Sequence, residues 1–159
     1  MNLQVREASA DDAALIAELT RACWAERVAP GSSGHREQTE QVQQDLQRGG
    51  GFILLLDGQP AGSVRWLPSD TEADVWEVLR MGVLPDYRGQ GLSQHLMEAI
   101  IHRAHGADVQ ELRLAVRADQ ARVVDLYAVF EFELAPELEY TRANPLAEPP
   151  TVMRRWLRR

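Results

Sequence analysis

Lysine is missing altogether: the 17 basic side chains of this 159-residue chain are all arginine. That absence excludes a Walker-type phosphate loop, which needs its lysine, and the Schiff-base chemistry of lysine enzymes, including those that use pyridoxal phosphate. Cysteine is nearly missing too. The single Cys23 rules out an internal disulfide or a multi-cysteine zinc site, and suits a reducing compartment. No uncharged apolar run approaches the ~20 residues of a spanning helix, and the segment from Met1 to Glu7 lacks the apolar stretch of a signal peptide. A soluble, cytoplasmic protein with no membrane partner is therefore expected, as a monomer or homodimer.

The length fits one domain of the usual ~100–200 residues, large enough to bury a core without staples. The expected unit is residues 1–159, with 143–159 forming a linker plus a C-terminal edge strand or tail. The formal net charge is −7. Duplex-binding proteins carry a basic field, so no nucleic acid partner is expected. Arg154, Arg155, Arg158 and Arg159 crowd the C-terminus, where they read as a solvated end rather than a binding patch.

Leu3 and Val5 open a short strand. Ser9 and Asp12 form a variant capping box, after which Leu15, Ile16, Leu19, Ala22 and Cys23 recur at helical spacing, predicting a first helix from about Ala10 into Arg27. Pro30 to Gly34 makes a loop. A glutamine-rich second helix spans roughly Gln38 to Arg48, with only Val42 and Leu46 as an apolar stripe, and stops at Gly49-Gly50-Gly51. Phe52 to Leu56 reads as a buried strand, Asp57-Gly58 as a hairpin turn into Ala61 to Leu67, and Pro68 to Asp70 as another turn before a strand from about Asp74 to Leu84. The order then alternates: a helix from Gly91 to about Ala104, a strand from Glu111 to Val116, a helix from Gln120 to Phe130 and a strand from about Phe132 to Thr141. After the linker, Val152 to Leu157 adds an edge strand. An antiparallel meander followed by alternation implies a mixed α/β (α+β) sheet with at least one parallel pair and helices on both faces.

The stretch from Met81 to Ser93, MGVLPDYRGQGLS, carries the chemistry. A strand ends at Pro85, an amide-rich turn follows, and a helix begins near Gly91. Unsatisfied N–H groups and the helix dipole make such an entry an anion site, and glycine lets a phosphate approach the amides closely. Arg88 adds a charge-assisted fork. The dinucleotide fingerprint competes poorly, because Gln94 stands where its third glycine belongs.

These residues resemble the pyrophosphate motif of the GNAT superfamily of acetyl-CoA-dependent N-acetyltransferases, Arg/Gln-x-x-Gly-x-Gly/Ala, mapped onto Arg88, Gly91 and Ser93. Ser93 departs from the usual Gly or Ala. The order of elements is similar over nearly the whole chain. Residues 119–132 resemble the family's Asn-x-x-Ala-x-x-Leu-Tyr-x-x-x-Gly-Phe: Leu126, Tyr127 and Phe132 fit, whereas Gln120, Val123 and Glu131 do not. Glu131 in place of glycine predicts a helix end without a left-handed glycine cap.

The resemblance implies a mostly antiparallel sheet of about six or seven strands, splayed at a cofactor cleft. It implies acetyl-CoA as acyl donor, held by Met81, Gly82 and Val83 through backbone groups, by Arg88, Gly89, Gln90, Gly91, Leu92 and Ser93 at the turn, and by Gln120. No metal is expected. A primary amine of a small molecule or peptide would attack the thioester directly in a ternary complex, with Glu77 as general base through water and Tyr127 protonating the departing thiolate. Gly82 inside a strand suits a bulge or a close ligand approach. The loop containing His35, together with Arg65 and Trp66, would border the acceptor cleft. The competing readings are an acyl-CoA-binding sensor or scaffold without turnover, for which the degenerate second motif speaks, and a solvated carboxylate and a packed aromatic for Glu77 and Tyr127. His95, His102 and His105 read as surface or helix-dipole residues, and Cys23 as core.

Overall fold

In a computed structural model that describes residues 2–24, 37–117, 123–140 and 148–157, seven strands form one sheet in the order β1-β2-β3-β4-β5-β7-β6. They are β1 (Leu3–Glu7), β2 (Gly50–Leu56), β3 (Gln59–Pro68), β4 (Val75–Val83), β5 (Glu111–Val116), β6 (Glu133–Leu134) and β7 (Thr151–Trp156). The helices are α1 (Ala13–Trp24), α2 (Thr39–Arg48), α3 (Ser93–Gly106) and α4 (Val123–Val129). All pairings are antiparallel except β4 with β5. The mixed sheet and the meander agree with the sequence reading.

Alternation along the strands sends apolar side chains to both faces, and each face is covered. On one, Leu96, Met97, Ile100 and Ala104 of α3 bury against Phe52, Leu54, Val64, Trp66 and Val78. On the other, Ile16 and Ala17 of α1 and Val42 of α2 bury against Ile53. Asp12 accepts the Ser9 backbone N–H at 2.9 Å and a two-pronged pair from Arg6 at 2.8 and 2.9 Å, fixing where the first helical segment starts. That start is a 3-10 turn over Ala10–Asp12, and α1 follows from Ala13. The expected continuation of α1 to Arg27 lies outside the described residues.

Several boundaries correct the sequence reading. The triple glycine does more than stop α2. β2 already begins at Gly50, where the backbone lies so close to Trp66 that an added Cβ would stand 2.8 Å from its ring. The strand expected from Phe132 to Thr141 is only Glu133–Leu134, since Pro136 cannot donate to a ladder and Leu138 N–H turns back to the Ala135 carbonyl at 3.0 Å. The C-terminal strand is not at the edge: β7 inserts between β5 and β6. Nor are Arg154 and Arg155 a solvated tail. Arg154 pairs with Glu137 and Glu111 and lies 5.0 Å from the Trp156 ring centroid, and Arg155 pairs with Glu131.

Glu131 takes φ 67°, so the left-handed turn that ends α4 forms without glycine. Phe132 N–H reaches the Tyr127 carbonyl at 3.2 Å and Glu131 N–H the Ala128 carbonyl at 2.9 Å, the paired bonds of a Schellman cap. Arg155 braces this helix end, bonding the Phe130 carbonyl at 3.1 Å and the Glu131 carboxylate at 3.1 Å.

Candidate active site

The parallel contact between β4 and β5 is only three residues long, from Val75 opposite Glu111 to Glu77 opposite Arg113. Beyond it the two strands part. On its other side β4 stays paired with β3 as far as Val83, but with a register shift between Ser63 and Arg65. Arg80 sits in that irregularity at φ 57°, a left-handed backbone unusual for a non-glycine residue in a strand. The bulge expected near Gly82 is thus centred on Arg80. Close approach falls on its neighbour Gly62, where a Cβ would stand 2.6 Å from the Gly82 carbonyl oxygen.

A cavity of about 540 Å³ fills the fork. Its walls are Val78 to Val83 of β4, Leu114 to Arg117 from β5 onward, and Val123, Leu126 and Tyr127 of α4; Cys23 of α1 and the turn residues Arg88, Gly89, Gly91, Leu92 and Ser93 close it. Of the residues singled out from sequence, Met81, Gly82, Val83, Arg88, Gly89, Gly91, Leu92, Ser93 and Tyr127 meet here. Gln90 is exposed and does not line the cavity. Gln120 and His35 lie outside the described residues.

The turn is built for donors. Pro85–Tyr87 forms a 3-10 turn, Gly89 and Gly91 take φ 82° and 69°, and α3 starts two residues later than expected, at Ser93. Neither glycine is crowded, so it is the positive φ that calls for glycine here. Among the described residues no acceptor takes the backbone N–H groups of Gly89, Gln90, Gly91 and Leu92. Arg88 corrects a simple expectation, because its guanidinium turns inward: Nε donates to the Val83 carbonyl at 3.0 Å and Nη2 to the Cys23 carbonyl.

Burial pushes the Tyr127 phenol up to about 12, so it remains an O–H donor at neutral pH. Its ring meets Phe132 edge to face, with centroids 6.1 Å apart. Burial likewise pushes the Cys23 thiol up to about 11, opposed by the Arg88 charge, which leaves a buried thiol with little thiolate character.

Glu77 is buried but does not reach this cavity. It lines a smaller one of about 310 Å³, with Ser69, Thr71, Glu72, Arg113 and the segment Glu137 to Tyr140. The expected cleft role of Arg65 and Trp66 also fails. Trp66 stacks on Trp76 at 3.5 Å beneath Arg103 of α3. Arg65, on the opposite face, is 1% exposed and pairs with Asp45 at 2.8 Å and with Glu37. Asp45 is therefore a buried residue of α2, which the apolar stripe of Val42 and Leu46 did not reveal. Arg80 joins this cluster through Nε, 3.1 Å from Glu37 Oε1, while lining the large cavity. With Arg88 and Arg117 it gives that cavity three guanidinium groups and no carboxylate among the described lining residues. Arg80, Arg117 and Glu37 escaped the sequence reading. The only signal for Arg80 was a second charged residue, after Glu77, inside a mainly apolar strand and next to Met81-Gly82.

Comparison with known proteins agrees with this geometry. Residues 15–132 match the model of the Acetyltransferase (GNAT) family. The mycothiol acetyltransferase of Kytococcus sedentarius is 30% identical over 131 residues, which cover 80% of this chain and 44% of that protein; the chain thus spans less than half the length of this relative. Two solved structures share the fold at low identity. The PaiA N-acetyltransferase of Thermoplasma acidophilum, in complex with coenzyme A, aligns with a TM-score of 0.77 at 16% identity over 98% of this chain and 99% of that one. A GNAT-family acetyltransferase of Staphylococcus aureus Mu50 aligns with a TM-score of 0.81 at 12% identity over 99% and 100%. With its forked β4–β5 pair, its glycine turn and a family match over most of its length, the chain belongs to the GNAT acetyltransferase family.

Proposed function

We propose that residues 1–159 act as one N-acetyltransferase domain that moves the acetyl group of acetyl-CoA to a primary amine of a small molecule or peptide. The observation that carries this reading is the cavity in the β4–β5 fork, which runs from strand backbone at Met81 to Val83 to the unpaired amides of the turn. A thioester arm fits the first and a pyrophosphate the second.

In the reaction the amine nitrogen forms a C–N bond to the acetyl carbon, the C–S bond breaks with its electron pair going to sulfur, and the nitrogen gives up a proton. Atoms and charge balance without an oxidant or a metal. An amine with a lysine-like pKa near ~10.4 is mostly protonated at neutral pH, so it needs a base. Glu77 lies four residues before Met81, roughly 13 Å along an extended strand. Because it lines the smaller cavity instead, its role as base needs a relay of several waters, not direct contact or one bridging molecule. Tyr127 borders the cavity from α4. With its phenol near 12 and a free thiol near ~8.5, full proton transfer to sulfur is uphill, so Tyr127 serves as a hydrogen-bond donor to the charge developing on the thiolate.

Incubation with acetyl-CoA and a broad amine panel, following free thiol release, tests the reading. Acceptor-dependent release supports it. Tight coenzyme A binding with no release from any amine would instead favour an acyl-CoA sensor, which the mismatches at Gln120, Val123 and Glu131 suggest as the second reading.

A further inference from the structure

We infer that Arg80 is a carboxylate-recognising residue at the reactive end of the cavity, so that one of the two reacting molecules carries a carboxylate. This rests on the acyl-transfer reading above. Arg80 sits one residue before Met81, inside the β4 irregularity, and its backbone is held at φ 57°. An ordinary strand residue would send its side chain straight to one face of the sheet. Here the guanidinium reaches both Glu37, ahead of α2, and the cavity.

Glu37 takes only one edge of it. Nε is bonded to Glu37 Oε1 at 3.1 Å, and the two terminal nitrogens have no partner among the described residues. The side chain is 26% exposed, enough for a ligand to reach it and too little for bulk water to screen it fully. Glu37 is shared with Arg65, which Asp45 also pairs, so two carboxylates balance two guanidiniums, and what Arg80 offers a ligand is the open edge of its fork rather than an excess of charge. The remaining edge is a planar pair of N–H donors, fixed from behind by Glu37, and such a fork fits a carboxylate with two parallel bonds. The setting favours an anion: Arg88 and Arg117 line the same cavity, and no acidic residue does among those described.

The carboxylate has two sources. It belongs to the acceptor, as in an amino acid whose amine attacks, or to the acyl chain, as in a dicarboxylic acyl-CoA. Two arms separate them. In the first, kcat/KM with acetyl-CoA is compared between α- and ω-amino acids and the matching amides. In the second, succinyl-CoA is compared with butyryl-CoA on one amine. We expect a preference of at least tenfold for the carboxylate in one arm, falling below threefold in Arg80→Gln. Arg80→Lys keeps the charge but loses the fork, and should fall between them. Melting curves of both variants check that they fold. A parallel titration of the coenzyme A-loaded wild type with each acid and amide, followed by NMR, reads recognition without turnover. If no amine reacts yet the acids still bind better than the amides, the transfer reading fails while Arg80 stands. If neither arm nor the titration distinguishes acid from amide, or if Arg80→Gln keeps the full preference, the assignment of Arg80 is overturned.

Discussion

Arg88 donates its Nε–H to the carbonyl of Val83 at 3.0 Å, so that the side chain beginning the glycine turn is anchored to the last residue of β4. A second bond, from Nη2 to the Cys23 carbonyl, extends the tie to α1. Three elements around the cavity thus share one guanidinium. Hydrogen bonds from a charged donor contribute ~1.5–3 kcal/mol when well formed. Arg88→Ala should therefore lower stability by about 2 kcal/mol in the protein alone, a fall in melting temperature of roughly 4–8 °C for a chain of this size. Coenzyme A affinity should fall as well, because the turn amides lose their setting. Arg88→Lys should melt close to Arg88→Ala, since an ammonium has no fork to span two carbonyls. Melting curves and calorimetric titration of the three proteins check this, and an unchanged melting temperature without ligand would restrict Arg88 to ligand contact.

The Arg65 cluster supports the face of the sheet that α1 and α2 cover. Its guanidinium is buried between Asp45 and Glu37, and these two acids are buried with it. Removing one member of such a group leaves its partners charged and dry, which typically costs ~3–5 kcal/mol. Arg65→Ala should be destabilised by about that much in urea. Adding Asp45→Asn to Arg65→Ala should recover part of the loss, because one uncompensated charge disappears; a double variant worse than the single one would contradict this account.

How much of this was legible beforehand follows from what each signal depends on. The glycine turn was readable because it is local: Gly89 and Gly91 announce positive φ, and a helix start follows within a few residues. The β5 strand was readable because Glu111–Val116 has a short apolar pattern with clear bounds. Arg80 and Glu37 were not readable, since nothing local tells that residues 43 positions apart share an ion pair. Arg65 beside Trp66 was placed wrongly for a related reason. Neighbours on a strand point to opposite faces, and only the α2 partner Asp45 explains why one of them is a buried cation. Glu131 misled in the opposite direction, because the brace that lets a non-glycine residue hold the left-handed turn comes from Arg155, more than 20 residues away.

Acid should undo the start of the first helical segment before it undoes the rest. The Arg6 guanidinium beside Asp12 lowers its carboxyl from 3.8 to about 2, with the Ser9 N–H helping. A depressed folded value means that the contribution is complete above pH 3.8 and is lost as pH falls through about 2. Asp12→Asn removes it at every pH, and loss of such a cap costs ~1 kcal/mol. Urea midpoints measured from pH 6 to pH 2 should therefore differ between wild type and Asp12→Asn at pH 6 and converge near pH 2. Parallel curves over the whole range would mean that Asp12 is not the titrating group.

Alkali should act through the cavity wall. Tyr127 is raised from 10 to about 12 and Cys23 from 9 to about 11, in both cases because burial penalises the charged form. A raised folded value contributes stability that is complete below the unfolded value and lost as pH rises through the folded one. Destabilisation should thus begin above pH 9 with Cys23 and deepen between pH 10 and pH 12 with Tyr127. In Tyr127→Phe the second phase should vanish, and turnover should fall while coenzyme A affinity changes little, because only the hydroxyl is removed from a ring that still packs on Phe132. The thiol offers an independent check. A thiol raised from 9 to about 11 by burial holds roughly 100-fold less thiolate at pH 8, so alkylation of Cys23 by iodoacetamide should be slower than that of a free thiol by about that factor and should speed up in urea. Rapid labelling of the folded protein, or a Tyr127→Phe variant whose stability still falls between pH 11 and pH 12, above the Cys23 phase, would show that the cavity wall is wetter and more open than its burial implies.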